Sequence, residues 1–325
     1  MEQKLIVSSS PHMKAKTGTS SIMIDVILAL CPAMIAGIYH FGFRALAVIL
    51  TSTAACILSE YIYQKATKKP VTVGDYSAVV TGILLALNLP VTIPLWMVVI
   101  GAALAIIIVK QLYGGIGKNF MNPALAARCF MLVAWASAMS AAYVVPHMGY
   151  GPDAISSATP LAILKGTSTG ELPTLMQAFL GNKAGCIGET SGAMLILGFI
   201  YLAAKKVVDF KIPLSYILTF GIFVYIFGDN QTGMAREYFT LMHILTGGLL
   251  IGALFMATDY VTTPTTSKGQ IIFGIGCGFL TFAIREFGGY PEGVSFSIIL
   301  MNVVTPIIER FTRPKPVGEV KSYGK

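Results

Sequence analysis

The sequence predicts an all-α integral membrane protein of about ten transmembrane segments, arranged as two inverted five-helix repeats with some short or broken helices. Three observations predict it. Of the 325 residues, 55% are hydrophobic and only 12% charged, with a mean hydropathy of +0.73. That is about half the charge of an average soluble domain, and a chain of this size cannot bury so much apolar surface in one aqueous core. Ten apolar stretches follow one another along the chain, and a segment of the first half recurs in the second. The net charge of +8 is therefore read as membrane topology, and a soluble nucleic-acid binder is excluded.

Residues 1–21 are polar and carry no cleavable signal. The first repeat, 22–142, opens with Ile22–Phe41 and Ala45–Tyr63, each near the ~20 apolar residues a bilayer requires. Tyr76–Leu89 runs into Pro90 and Pro94, and proline removes a donor and stops a helix, so a short or broken element is expected there. Leu95–Leu112 and Pro123–Ala142 complete the half. Residues 143–190 form the only long loop. The second repeat, 191–309, holds Ser191–Ala204, Pro213–Phe227, Leu241–Ala257, Gln270–Phe287 and Val294–Ile308. Its third member also runs into a Thr- and Pro-containing stretch and is expected to be broken. A basic tail, 310–325, ends the chain.

Lysine and arginine test this arrangement independently. With the N-terminus inside, 17 basic residues fall inside and only Arg44, Lys165, Lys183, Arg236 and Arg285 outside, with Arg128 within a span. The positive-inside rule expects such an excess. Both termini are thus placed in the cytoplasm, and the 143–190 loop is extracytoplasmic, in a multi-pass protein of the cell (inner) membrane. The repeat is seen where Gly82-Ile-Leu-Leu-Ala-Leu-Asn-Leu-Pro-Val-Thr-Ile-Pro94 lies on Gly252-Ala-Leu-Phe-Met-Ala-Thr-Asp-Tyr-Val-Thr-Thr-Pro264 without a gap. Lys110-Gln-Leu-Tyr-Gly-Gly115 then matches Arg285-Glu-Phe-Gly-Gly289, one residue shorter. Five spans per half is an odd number, so the halves are inverted. Such folds hold a ligand or ion near the midplane.

Candidate chemistry is sparse. The five cysteines have no C-x-x-C spacing and the four histidines are scattered, so neither a metal site nor a catalytic residue is expected. Gly114-Gly-Ile-Gly-Lys118 lacks the P-loop pattern and sits between two spans, where it reads as a turn. In the outer loop, Asp153-Ala-Ile-Ser156-Ser157-Ala-Thr159-Pro160 places a helix N-cap at Thr159, and a helix N-terminus also favours a phosphate. Asn119 and Asn122 stand before Pro123, where they read as caps of a helix start. Asp25, Glu60, Asp75, Arg128 and Asp259 are ionisable and near hydrocarbon, which is costly without a partner or a function. Of these, Asp75 reads as a cap and Glu60 as reaching the cytoplasmic surface. Arg128 is open to an internal salt bridge or to an anionic ligand, and Asp25, Asp75 and Asp259 are candidates for an ion path.

Asp153-x-x-Ser156-Ser157-Ala-Thr159 resembles the flavinylation motif D-x-x-(S/T)-x-A-T, and Ser10-Pro-His12, Asp75-Tyr-Ser-Ala-Val, Asn119-Phe-Met-Asn122-Pro-Ala124 and Glu292-Gly-Val294 fit alongside it. Together they resemble the D subunits of the Rnf complex, a family shared with the B subunits of the sodium-translocating NADH:quinone reductase. The resemblance implies a subunit of a redox-driven pump between ferredoxin and NAD+, coupled to Na+ or H+. It implies FMN esterified to Thr159 by a separate flavin transferase, within a motif that includes Asp153, Ser156 and Ser157. It also implies a second, non-covalent flavin, riboflavin in the relatives, near Asn119, Asn122 and Arg128, and the other Rnf subunits as partners. Two alternatives remain: the quinone-reductase subunit itself, and a flavin-free channel for a small solute, since inverted halves with broken helices also make pores.

Overall fold

The computed structural model describes residues 18–140, 143, 158–230, 232–289 and 292–314. Asp153, Ser156 and Ser157 lie outside the described residues. No strand occurs among those described. The first half contains α1 (Thr19–Phe41), α2 (Phe43–Ala66), α3 (Ser77–Leu87), α4 (Leu95–Gln111), α5 (Pro123–Ala134) and α6 (Ala136–Ser140). Two short helices follow, α7 (Pro160–Leu164) and α8 (Leu175–Leu180). The second half contains α9 (Gly192–Ala204), α10 (Lys211–Phe227), α11 (Arg236–Leu245), α12 (Leu249–Met256), α13 (Ser267–Phe287) and α14 (Val294–Thr312).

Every expected apolar stretch is helical, but length separates them. Among the described residues, only α1, α2, α13 and α14 are long and apolar enough to cross a bilayer, giving four such helices, or five if the bent pair α11–α12 is one span. Five others, α3, α4, α5, α9 and α10, are shorter apolar helices. Helix length therefore supports four or five crossings and does not by itself carry the count to ten. The stretch 123–142 stops early: α5 ends at Ala134 because Trp135 leaves helical geometry (φ −133°, ψ 55°). Leu241–Ala257 is broken at Gly247 and Gly248, whose φ values of 73° and 67° belong to the left-handed region that glycine adopts freely. The axis bends there by 63°.

The short helix α3 shows how a broken element is satisfied. Asp75 Oδ1 accepts from the Ser77 amide (2.8 Å) and hydroxyl (2.5 Å), closing the N-terminus. At the far end, the amides of Ile187 and Gly188 donate to the carbonyls of Leu89 (3.1 Å) and Leu87 (2.7 Å). The segment before α9 thus folds against α3 and caps carbonyls that a bilayer would leave unpaired. α2 connects the two ends of this half: Arg44 donates to Ile93 O (2.9 Å) at one end, and Glu60, about 24 Å along the helix axis, binds Lys110 at the other.

The repeat extends to side-chain contacts. Laying Gly82 on Gly252 pairs Ser77 with Gly247. Lys110, at the end of α4, donates to Ser77 Oγ (2.6 Å), while Arg285, at the end of α13, donates to Gly247 O (2.8 Å). A buried cation therefore meets the start of the short inner helix in each half. α3 and α12 approach one another at their ends, where Asn88 Nδ2 lies 3.3 Å from Met256 Sδ.

Close approach depends on glycine. A Cβ on Gly82 would stand 2.6 Å from Thr53 Cα in α2, whereas one on Gly289 would meet nothing within 4 Å. Gly82→Val is expected to destabilise the detergent-solubilised chain by about 1–3 kcal/mol, read as a lower thermal midpoint. Gly289→Ala is expected to leave the midpoint unchanged.

Candidate functional site

A cavity of about 100 Å³ opens where the two halves converge. α1 contributes Ile22, Met23 and Val26, and α3 contributes Ser77, Val80, Thr81 and Leu84. The segment before α5 contributes Ile116, Asn119 and Asn122, and the far wall holds Leu202, Val207, Val208, Phe255 and residues 258–261. The walls are mostly apolar with a few polar groups, as in sites for planar organic ligands.

Its polar groups are positioned by helix ends. Asn122 caps α5: its Oδ1 accepts from the amides of Ala124 (3.1 Å) and Leu125 (3.3 Å), with Pro123 preset for the first helical position. Its Nδ2 donates to Met256 O (3.3 Å), so this one side chain joins α5 to the end of α12. Asn302 supports it from α14 when its amide oxygen faces Asn122 N (3.1 Å). Asn119 Nδ2 donates to Met121 O (3.2 Å), holding the tight turn. Half-buried Asp259 accepts from Val261 N (3.4 Å) and Thr262 Oγ1 (3.2 Å); desolvation raises its pKa and the two hydrogen bonds oppose the rise. The cavity thus brings Asn119, Asn122 and Asp259 together.

Beneath it lies a buried ion pair. Lys110 Nζ is 2.9 Å from Glu60 Oε1 and also lines the cavity. Gln111 Nε2 (2.7 Å) and Gln64 Nε2 (3.3 Å) donate to the same carboxylate oxygen. Glu60 is fully buried and Lys110 is 3% exposed, so the expectation that Glu60 reaches the surface is corrected. A charge that cannot reach water must be paired, and Lys110 is the partner. The sequence showed an acid inside one apolar span and a lysine at the end of another, but nothing in the spacing that pairs them.

The remaining candidates lie elsewhere. Asp25 accepts from Tyr201 OH (2.8 Å) and stands 3.5 Å from Lys205 Nζ, between α1 and α9. Asp75 stands one residue before Tyr76, which is the N-cap of α3, and reaches past it to accept from Ser77, so the expected cap position is corrected by one residue. Thr159 is buried and caps α7, its Oγ1 accepting from Ala162 N (3.2 Å). Arg128 does not line the cavity. Its Nη1 donates to Ser295 Oγ (2.6 Å) and its Nη2 pairs with the Glu292 carboxylate, the internal salt bridge left open by sequence. Around this pair, burial and the charge of Glu292 push the Glu189 carboxyl up to about 7, and burial lowers Lys183 to about 8. A second cavity of about 110 Å³, lined by Leu161, Leu164, Lys165, His243, Arg285 and Glu286 among others, lies beside α7.

Comparison with known proteins adds the lineage. Residues 6–318 match the model of the NQR2, RnfD, RnfE family. Over 322 residues the chain is 48% identical to the D subunit of the Na(+)-translocating ferredoxin:NAD(+) oxidoreductase complex of Acetobacterium woodii, covering 98% of this chain and 97% of that one. Over 320 residues it is 46% identical to the D subunit of the proton-translocating ferredoxin:NAD(+) oxidoreductase complex of Clostridium ljungdahlii, covering 96% of each. The D subunit of an ion-translocating oxidoreductase complex from Escherichia coli O81 is 33% identical over 353 residues, covering 97% of this chain and 99% of that one.

Removing one member of the Glu60–Lys110 pair leaves the other charge buried alone. Lys110→Met is expected to destabilise the chain by about 3–5 kcal/mol, and the double variant Glu60→Leu with Lys110→Met to recover most of that loss. Thermal unfolding in detergent reads both.

Proposed function

We propose the chain's function from the premise that it belongs to the NQR2, RnfD, RnfE family: it is the D-type membrane subunit of an ion-translocating ferredoxin:NAD+ oxidoreductase. It works with the other subunits of that complex, and Na+ or H+ is the ion moved. The near full-length match to D subunits of both a sodium-translocating and a proton-translocating complex carries this reading. Relatives of nearly equal identity are named for different ions, so the match favours neither. The placement of basic residues supports cytoplasmic termini and an extracytoplasmic loop before α9.

On this reading the chain holds two flavins. FMN is esterified to Thr159 by a flavin transferase, a reading carried by the motif that ends in this threonine, which stands at the start of α7. A non-covalent flavin occupies the cavity between the halves. Its fit rests on chemistry, since apolar walls suit the ring faces and the Asn119 and Asn122 carboxamides offer both donor and acceptor to a ring edge. A bound flavin supplies one- and two-electron transfer; the protein positions it and sets the charge around it. Asn122 has a second task, because its link to Met256 O makes the pocket edge part of the α5–α12 joint. Lys110, held by Glu60, places a cation at the pocket floor, where it favours added negative charge. Asp25, Asp75 and Asp259 are the candidates for the ion path, and Asp259 lines the pocket itself. A change of charge in the pocket then bears directly on an ion site.

Two measurements test the flavin assignments separately. Chain co-expressed with an active flavin transferase is expected to fluoresce after denaturing electrophoresis, and Thr159→Ala to be dark; fluorescence persisting in the variant contradicts the ester at Thr159. Asn122→Asp keeps an N-cap acceptor but loses the amide donor. It is expected to lower extractable flavin per chain more than twofold while the covalent signal stays. An unchanged content places the second flavin elsewhere.

A further inference from the structure

Cys186, Glu189 and Glu292 each bring one ligand atom to within 4.8 Å of the others. They come from the segment before α9 and the residue two before α14, and sequence spacing gives no hint that they meet. Glu189 is 6% exposed, and its Oε2 has no hydrogen-bond partner among the described residues. Its other oxygen accepts from Cys186 N (3.0 Å), which aims the carboxylate into the group. The group already holds a cation. Arg128 Nη2 pairs with Glu292 and stands 3.7 Å from Cys186 Sγ. Two carboxylates therefore face one guanidinium, whose Nε makes no hydrogen bond among the described residues, and the buried Lys183 ammonium also acts on Glu189.

We propose that Cys186, Glu189 and Glu292 form a binding site for a monovalent alkali cation, with the Arg128 guanidinium as its tethered and exchangeable occupant. Charge decides the valence. The buried Lys183 ammonium already acts on Glu189, so one positive charge in place of the guanidinium keeps the balance of the group, whereas a divalent ion would add a charge with no partner in a poorly solvated place. Ligand chemistry decides the class: carboxylate oxygens suit hard ions such as Na+, and the neutral thiol contributes weakly. The exchange has a structural consequence. Arg128 belongs to α5 in the first half, while Glu292 and Ser295 belong to the second, so an entering ion releases a pair that ties the halves together. A ligand that binds one arrangement better than the other shifts the balance between them.

The site rests on the ion-translocating reading for its purpose, but binding requires neither flavin nor redox partner. The test uses the full chain in detergent at constant ionic strength, with NaCl, LiCl or KCl replacing choline chloride, and reads the thermal midpoint. Arg128→Gln removes the tethered cation, so NaCl is expected to raise its midpoint by a few degrees over choline chloride. The unsubstituted chain should respond less, because Na+ must compete with the guanidinium. Arg128→Lys, a milder change that keeps a charge on a shorter reach, should respond between the two and serves if Arg128→Gln does not fold. Adding Glu189→Gln is expected to abolish the response in either background. Equal midpoints in NaCl and choline chloride for both Arg128 variants overturn the proposal. So does a response that survives Glu189→Gln. In-gel flavin fluorescence of the same samples keeps the two readings apart: its retention alongside a failed Na+ response sinks this site alone.

Discussion

A buried charge without water must find a partner, and in this protein two such charges pin the two short helices on which the architecture turns. Lys110 and Arg285 occupy matching places in the repeat: Lys110 reaches the first residue of α3, and Arg285 the break just before α12. They solve the problem differently. Lys110 is neutralised by Glu60, whose carboxylate Gln111 also holds, whereas Arg285 spreads its charge over the carbonyls of His243, Thr246 and Gly247 and packs against the Phe220 ring. The second solution is available because Gly247 and Gly248 open the chain between α11 and α12 and free carbonyls there. Hydrophobic burial alone would not set these positions, since lipid is as apolar as the helices it surrounds.

With both inner helices pinned at their starts, their other ends meet between the halves. The Asn88, Asn122 and Met256 contacts mark that meeting, and the cavity between the halves opens beside it. Broken helices leave backbone groups free, and inverted-repeat membrane proteins use such groups to hold ligands. On the proposed reading, a flavin beside Lys110 and Asp259 connects electron charge to ion charge through groups already required for stability. In the middle of α5, Arg128 ties the halves through Glu292. One helix thus carries both a pocket residue, Asn122, and an inter-half ion pair.

Much of this was legible. The apolar runs placed the helices to within a few residues, Pro90 and Pro94 announced the short α3, and Pro123 and Pro160 announced the capped starts at Asn122 and Thr159. The repeat was readable because Gly82 and Gly252, and Lys110 and Arg285, fall in the same order. The motifs around Thr159 and Asn119–Asn122 indicated the family that the full-length match then established. What sequence did not disclose are partners far apart in the chain. Glu60 and Lys110, and Arg128 and Glu292, carry no local pattern, because ion pairs between helices obey packing and not periodicity. The end of α5 at Trp135 was missed for a related reason: no proline or glycine marks it, and the apolar run continues through the turn.

The central structural claim is that α3 and α12 meet end to end, and one measurement addresses it directly. On a background without the five native cysteines, Asn88→Cys and Met256→Cys would be introduced together and joined in membranes by a short bismaleimide, which makes up the reach lost with the longer native side chains, with Asp25→Cys and Tyr201→Cys as a control pair whose native side chains touch. Cleavage in the long loop before α9 followed by electrophoresis reads the link. Fragments held together by the Asn88–Met256 pair are the expected result. Fragments that separate, while the control pair holds, would contradict the account.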